Sequence, residues 1–117
     1  MRTSSAKAKG KRLCLYVKNR LLNFFPELKS SDIEIPRGSL KGADLKLSDK
    51  ALEVLPFSFE LKNHEKLNIW AAIEQSKNHV KDSEIIPTVV FSKNHHKPQI
   101  CMGLDDFLTY IKQLKER

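Results

Sequence analysis

The chain has 117 residues, 40% of them hydrophobic, and a net charge of +7. That suffices for one domain with a single core and is too short for two ordinary ones. No apolar run of about 18 residues exists to span a membrane, and the basic start Met1-Arg2-Thr3 is not followed by the apolar stretch of a secretory leader. The expectation is a soluble cytoplasmic protein in which Cys14 and Cys101, far apart and in no CxxC pair, are reduced thiols.

The charge is unevenly placed. Residues 1–20 carry seven of the 21 basic residues and no acid, and the remaining 14 basic residues face 14 acids. The whole surplus sits at the N-terminal end. Lys9, Lys11 and Arg12 belong to it, and a polyanion such as DNA is the simplest partner, because each neutralised phosphate releases a counterion. A solubilising tail is the plainer alternative.

In chain order, residues 1–7 read as a basic tail and residues 8–117 as the domain. Leu13, Val17, Leu21, Phe24 and Phe25 recur at helical spacing over 8–25, ending before Pro26. Residues 33–35 alternate as a short strand. Residues 37–42 form a basic, glycine-containing loop in which Arg37, Ser39 and Lys41 are placed to grip phosphates. Residues 43–47 alternate again, and Ser48-Asp49 are the expected cap of a short helix over 50–55.

A strand follows over 57–63, then a helix over 65–81 with Ile69, Ile73 and Val80 on its core face. Residues 86–91 are a β-branched strand, 92–98 a polar turn, 99–102 a returning strand and 104–115 a closing helix. The fold class is α/β: a central mixed sheet flanked by helices, in the order α-β-β-β-α-β-β-α.

The chemistry concentrates in Asp44 and in Glu60-Leu61-Lys62. Alternation along a strand puts Glu60 and Lys62 on one face, roughly 7 Å apart, and Phe59 and Leu61 on the other. If a neighbouring segment brings Asp44 beside Glu60, two carboxylates and a backbone carbonyl, that of Leu61, would suit Mg²⁺, which prefers oxygen ligands and keeps several waters. Bound there, the ion would activate water and offset phosphate charge. The two carboxylates favour the charged form of Lys62, so its expected role is electrostatic. The plain alternative for Glu-x-Lys is a surface ion pair.

On the next helix, Asn68, Ala72, Gln75 and His79 share a stripe at 3.6 residues per turn, and Gln75 is expected to face the site. Trp70 is expected at the edge of the core, with base stacking or a dimer contact as alternatives. Lys93, His95 and His96 sit in a hairpin tip that could touch DNA; adjacent histidines without a further cluster make a poor zinc site.

The set Gly42-Ala43-Asp44, Phe59-Glu60-Leu61-Lys62-Asn63 and Gln75 resembles the PD-(D/E)xK nuclease superfamily, especially its small Holliday junction resolvase-like and bacteriophage-encoded members. The resemblance runs from about Gly10 to Leu114. It implies a restriction-endonuclease-like core, Mg²⁺ dependence with Mn²⁺ as substitute, and cleavage of DNA leaving a 5′-phosphate. It makes Asp44, Glu60 and Lys62 the catalytic residues, joined by Gln75, with Asn63 beside the DNA. It further implies a homodimer acting on four-way junctions, in a host-cell cytoplasm if phage-encoded. Two departures stand out: no acid precedes Glu27, where archaeal-type resolvases carry one in the first helix, and Ala43 stands where the phage pattern often has Glu. The alternatives are a less selective nicking or end-processing nuclease and a non-catalytic DNA-binding module.

Overall fold

The computed structural model describes residues 4–37, 44–80 and 84–117. Helix α1 runs over Ser4–Phe24. It starts earlier than the sequence suggests and takes in most of the segment read as a tail, since Lys7, Ala8 and Lys9 are good helix formers with no breaker among them. Its buried stripe is Leu13 and Val17, one turn apart, with Leu21 half-buried on the next turn. Phe24 lies outside that stripe, 67% exposed, with the Arg20 guanidinium 5.0 Å from its ring centre.

After a turn of 3₁₀ helix at Ser30–Asp32 come β1, Ile33–Glu34, and β2, Lys46–Leu47, paired antiparallel. Asp32 ties this corner together. One carboxylate oxygen accepts from Lys29 N at 2.8 Å and the other from the Ser48 hydroxyl at 2.7 Å, and the backbone bond, followed by the hydroxyl bond, lowers its pKa. Ser48 in turn caps α2, Asp49–Val54, by accepting from Ala51 N.

Strand β3, Phe57–Asn63, pairs parallel with β4, Ile86–Ser92, and β4 pairs antiparallel with β5, Gln99–Cys101. The crossover between the parallel strands is α3, Ile69–Asn78, and α4, Leu104–Lys115, closes the chain. Helix α3 is shorter than its sequence pattern at both ends; Asn68 caps its start, and residue 81 lies outside the described residues. Its buried positions are Ala72 and Ser76, while Ile69, Ile73 and Val80 are only half-buried. Small side chains let the helix settle close to the sheet, which moves its inner face by one position.

The protein is therefore a mixed α/β fold with a mixed three-stranded sheet, but among the described residues the strands form two sheets instead of one: β1-β2 and β3-β4-β5. The reason lies at the outer edge of β3. Asp44 N donates to Phe59 O at 2.9 Å, and Asp44 Oδ2 accepts from Leu61 N at 2.7 Å. A side chain thus takes the amide that a neighbouring backbone carbonyl would take in a continuous ladder, and Asp44 sits in a bend just before β2.

Leu13, Val17, Phe59, Leu61 and Val90 join Ile33, Leu45 and Leu55 in one core. Helix α1 covers the Phe59/Leu61 face of β3, and α3 lies on the opposite face, which carries Glu60. Ile33 is fully buried within this core. We expect Ile33→Ala to lower stability by about 3 kcal/mol, read as a shifted urea midpoint with an unchanged slope.

Candidate active site

Glu60 projects from the middle of β3 on the α3 face and is 3% exposed. Its Oε1 lies 3.6 Å from Lys62 Nζ, two residues along the same face, and its Oε2 lies 3.1 Å from His79 Nδ1, within hydrogen-bond distance. Asp44, half-buried, is held at the edge of β3 by its two bonds to Phe59 and Leu61. Burial, and after it the negative charge of Asp44, push the Glu60 pKa up; Lys62 and His79 pull against them without cancelling the rise. Two carboxylates in electrostatic reach, one of them buried, are a place where positive charge is wanted.

The expected set of Asp44, Glu60 and Lys62 is thus brought together. Leu61 belongs with them: Phe59 O and Leu61 N both face Asp44, and strand geometry sends the Leu61 carbonyl to the same edge. Among the described residues no cluster of three or more His, Cys, Asp or Glu side chains could hold a metal ion. The donor set on hand is two carboxylates and a carbonyl. That suits Mg²⁺, which binds through one or two carboxylates and leaves its other positions to water and phosphate.

Gln75 does not join this site. It is exposed, because the sheet-facing positions of α3 are Ala72 and Ser76, and the next position on that side is His79 at the C-cap. His79 takes the place expected of Gln75. It belongs to the same stripe in the sequence, but a helix drawn on to residue 81 hides its position at the helix end. Cys14 is a second neighbour: its thiol pKa is raised by burial and, next, by the charge of Asp44, so the first helix presents a thiol near that carboxylate.

The DNA-binding candidates divide. Lys11 and Arg12 are exposed on α1, and Arg37 is exposed in its loop. Ser39 and Lys41, with Gly42 and Ala43 of the proposed motif, lie outside the described residues. Asn63, half-buried, donates its amide to Lys9 O at 3.1 Å and pins α1 to the end of β3. Lys93, His95 and His96 are exposed in the turn between β4 and β5. His95 adopts φ 65°, in the left-handed region that a tight turn requires. His96 Nδ1 is 2.8 Å from Asn94 O and Asn94 N donates to Glu65 at 2.8 Å, so the tip is braced beside the carboxyl end of β3. Trp70 is 76% exposed and does not line the core.

No family model matches the chain, and no curated protein or solved structure matches it either.

The raised pKa of Glu60 has a definite sign in stability. The folded chain holds this proton more tightly than the unfolded chain does, so the stabilising contribution is fully present below the ordinary value of 4.5 and is lost as pH rises through the raised folded value. In chelator, the melting temperature of the natural chain should fall more between pH 4.5 and neutrality than that of Glu60→Gln; parallel profiles would show that Glu60 does not titrate upward.

Proposed function

We propose that the protein is a metal-dependent DNA endonuclease with a restriction-endonuclease-like core. The observation that carries this reading is the bracing of Asp44 on the backbone of β3, which sets its carboxylate beside buried Glu60 with Lys62 on the same face. Asp44, Glu60 and the Leu61 carbonyl would hold Mg²⁺, which when bound acidifies a water and offsets phosphate charge. In the reaction, water attacks phosphorus, the bond to the 3′ oxygen breaks, and that oxygen leaves as a hydroxyl after taking a proton.

Lys62 orients the scissile phosphate and stabilises the charge that builds on its oxygens. His79 holds Glu60 in place from α3. Lys11 and Arg12 on α1, and Lys93 at the hairpin tip, supply positive charge for the flanking phosphates. The hairpin tip and the Asn63–Lys9 tether place these groups towards the carboxyl ends of the parallel strands, where open α/β sheets bind ligands. A preference for four-way or other branched DNA rests on the resemblance of the Gly-x-Asp and Glu-x-Lys-Asn pattern.

A second reading has its own support. Both oxygens of Glu60 already face cationic or donor groups of the chain, as in a self-contained polar network, which favours a DNA-binding module without catalysis. A less selective nuclease is the third outcome of the same experiment, in which a labelled four-way junction, a linear duplex and a flap are incubated with Mg²⁺ or chelator.

Symmetric nicks confined to the junction support the first reading, equal cutting of all three a less selective nuclease, and binding without cutting the module. Asp44→Asn and Glu60→Gln should each lower cleavage roughly 10²–10³-fold while DNA binding persists. Mg²⁺ at a hundred times its dissociation constant should stabilise the natural chain by about 2.7 kcal/mol, seen as a higher melting temperature, and leave Glu60→Gln unmoved.

Binding itself should depend steeply on salt. Lys11→Ala and Arg12→Ala together should reduce the slope of log affinity against log salt by about 0.9 for each phosphate that these two side chains neutralise. An unchanged slope would remove α1 from the interface.

A further inference from the structure

We propose that α4 is a self-association surface on which two copies of the chain pair antiparallel about a two-fold axis. Among the α-helices described, α4 alone contributes no buried residue. Yet Leu104, Phe107, Leu108, Ile111 and Leu114 repeat at spacings of three and four, and their exposures are 71, 46, 52, 38 and 40%. Tyr110 holds one edge of the helix to the body, its ring 5.1 Å from that of Phe57. The stripe beside that edge faces away from the core. A short helix gains most of its stability from burying its apolar face, so this one is incomplete alone. The residues outside the described ones bring only Met1, Leu40 and Ala43 as apolar side chains, too few to cover five large ones.

The charges of α4 select the occupant and its direction. Asp105 lies in the first turn, Lys112 and Lys115 in the last. At about 100° per residue, Asp105 and Lys112 fall on the same edge of the apolar stripe, the edge bordered by Leu108, and Lys115 falls within the stripe near its C-terminal end. In an antiparallel pair, like edges of the two helices meet and opposite ends coincide. Asp105 of each copy then lies beside Lys112 and Lys115 of the other, twice over by symmetry. A parallel pair would instead bring the Asp105/Lys112 edge of one copy against the opposite edge of the other, at Phe107 and Leu114, and leave these charges without a partner across the seam. The sequence of α4 is therefore complementary to itself in one orientation, and the resulting surface is closed, as an isologous dimer requires. The resemblance implies a homodimer, but the surface and its antiparallel direction follow from α4 alone, which contributes no residue to the candidate site.

Sedimentation equilibrium on the full chain tests it. A contact built on one 12-residue helix is small beside the roughly 800 Å² per partner of a stable interface, so the dimer should dissociate in the micromolar range. We expect a mass near twice 13.5 kDa at high concentration. Leu108→Glu should give a monomer with an unchanged far-ultraviolet dichroism spectrum. Asp105→Lys should weaken association about tenfold, and adding Lys112→Asp, which reverses the charges along that edge, should restore it. A natural chain that stays monomeric throughout overturns the proposal. So does a dimer indifferent to Leu108→Glu, and a double exchange that fails to rescue rejects the antiparallel arrangement.

Discussion

The bond from Leu61 N to Asp44 Oδ2 organises most of what is distinctive in this molecule. Strand β3 has a free edge, and a free edge is a row of unmet donors and acceptors. Asp44 meets that edge with both its amide and its side chain. The first bond brings the β1-β2 sheet alongside; the second ends the ladder, so that two small sheets share one core. The same side-chain bond fixes a carboxylate beside Glu60. Fold and site thus draw on one group, and asparagine, whose side-chain oxygen can still accept from Leu61 N, is the substitution that separates the two roles.

The consequence is electrostatic. Burying a carboxylate is unfavourable unless it is paired, and a second carboxylate nearby worsens the balance. Lys62 and His79 approach Glu60 from the strand and from the end of α3, yet its pKa remains raised. Local structure therefore leaves a demand for positive charge at one buried point of the sheet. Evolution rarely retains such a point for stability, since a hydrophobic replacement is often neutral or better. A site that binds a cation and a phosphate together gives it a use.

Much of this is legible in the sequence, and the parts that are not share a cause. The bounds of β3 and α4 follow from apolar patterning, and the common face of Glu60 and Lys62 follows from alternation alone. Ser48 as the cap of α2 follows from its residue type. What escapes is set by tertiary contacts. The division into two sheets depends on a side-chain bond across 17 positions. The inner face of α3 is set by small Ala72 and Ser76 packing close to the strands, a choice that hydrophobicity does not rank, and this exchanges Gln75 for His79. Asn63 reads as a DNA contact by analogy and is a tether by geometry. Trp70 reads as a residue of the core edge, but the cap at Asn68 starts the helix with the indole 76% exposed.

Size explains why the outer surface matters as much as the site. A domain of about a hundred residues buries a modest share of its surface, and this one commits its apolar residues to a core between α1, α2 and the strands. Among the described residues α4 is covered only in part: Tyr110 and Asp106 are half-buried, and Phe107, Ile111 and Leu114 stay 46, 38 and 40% exposed. An amphipathic helix in that position gains its stability from whatever covers it. With a second copy as the cover, folding of α4 and assembly become one equilibrium, and the stability of the C-terminal end rises with protein concentration by mass action. The basic face of α1, the buried carboxylate beneath α3 and the exposed apolar stripe of α4 are then three separate features of one small fold.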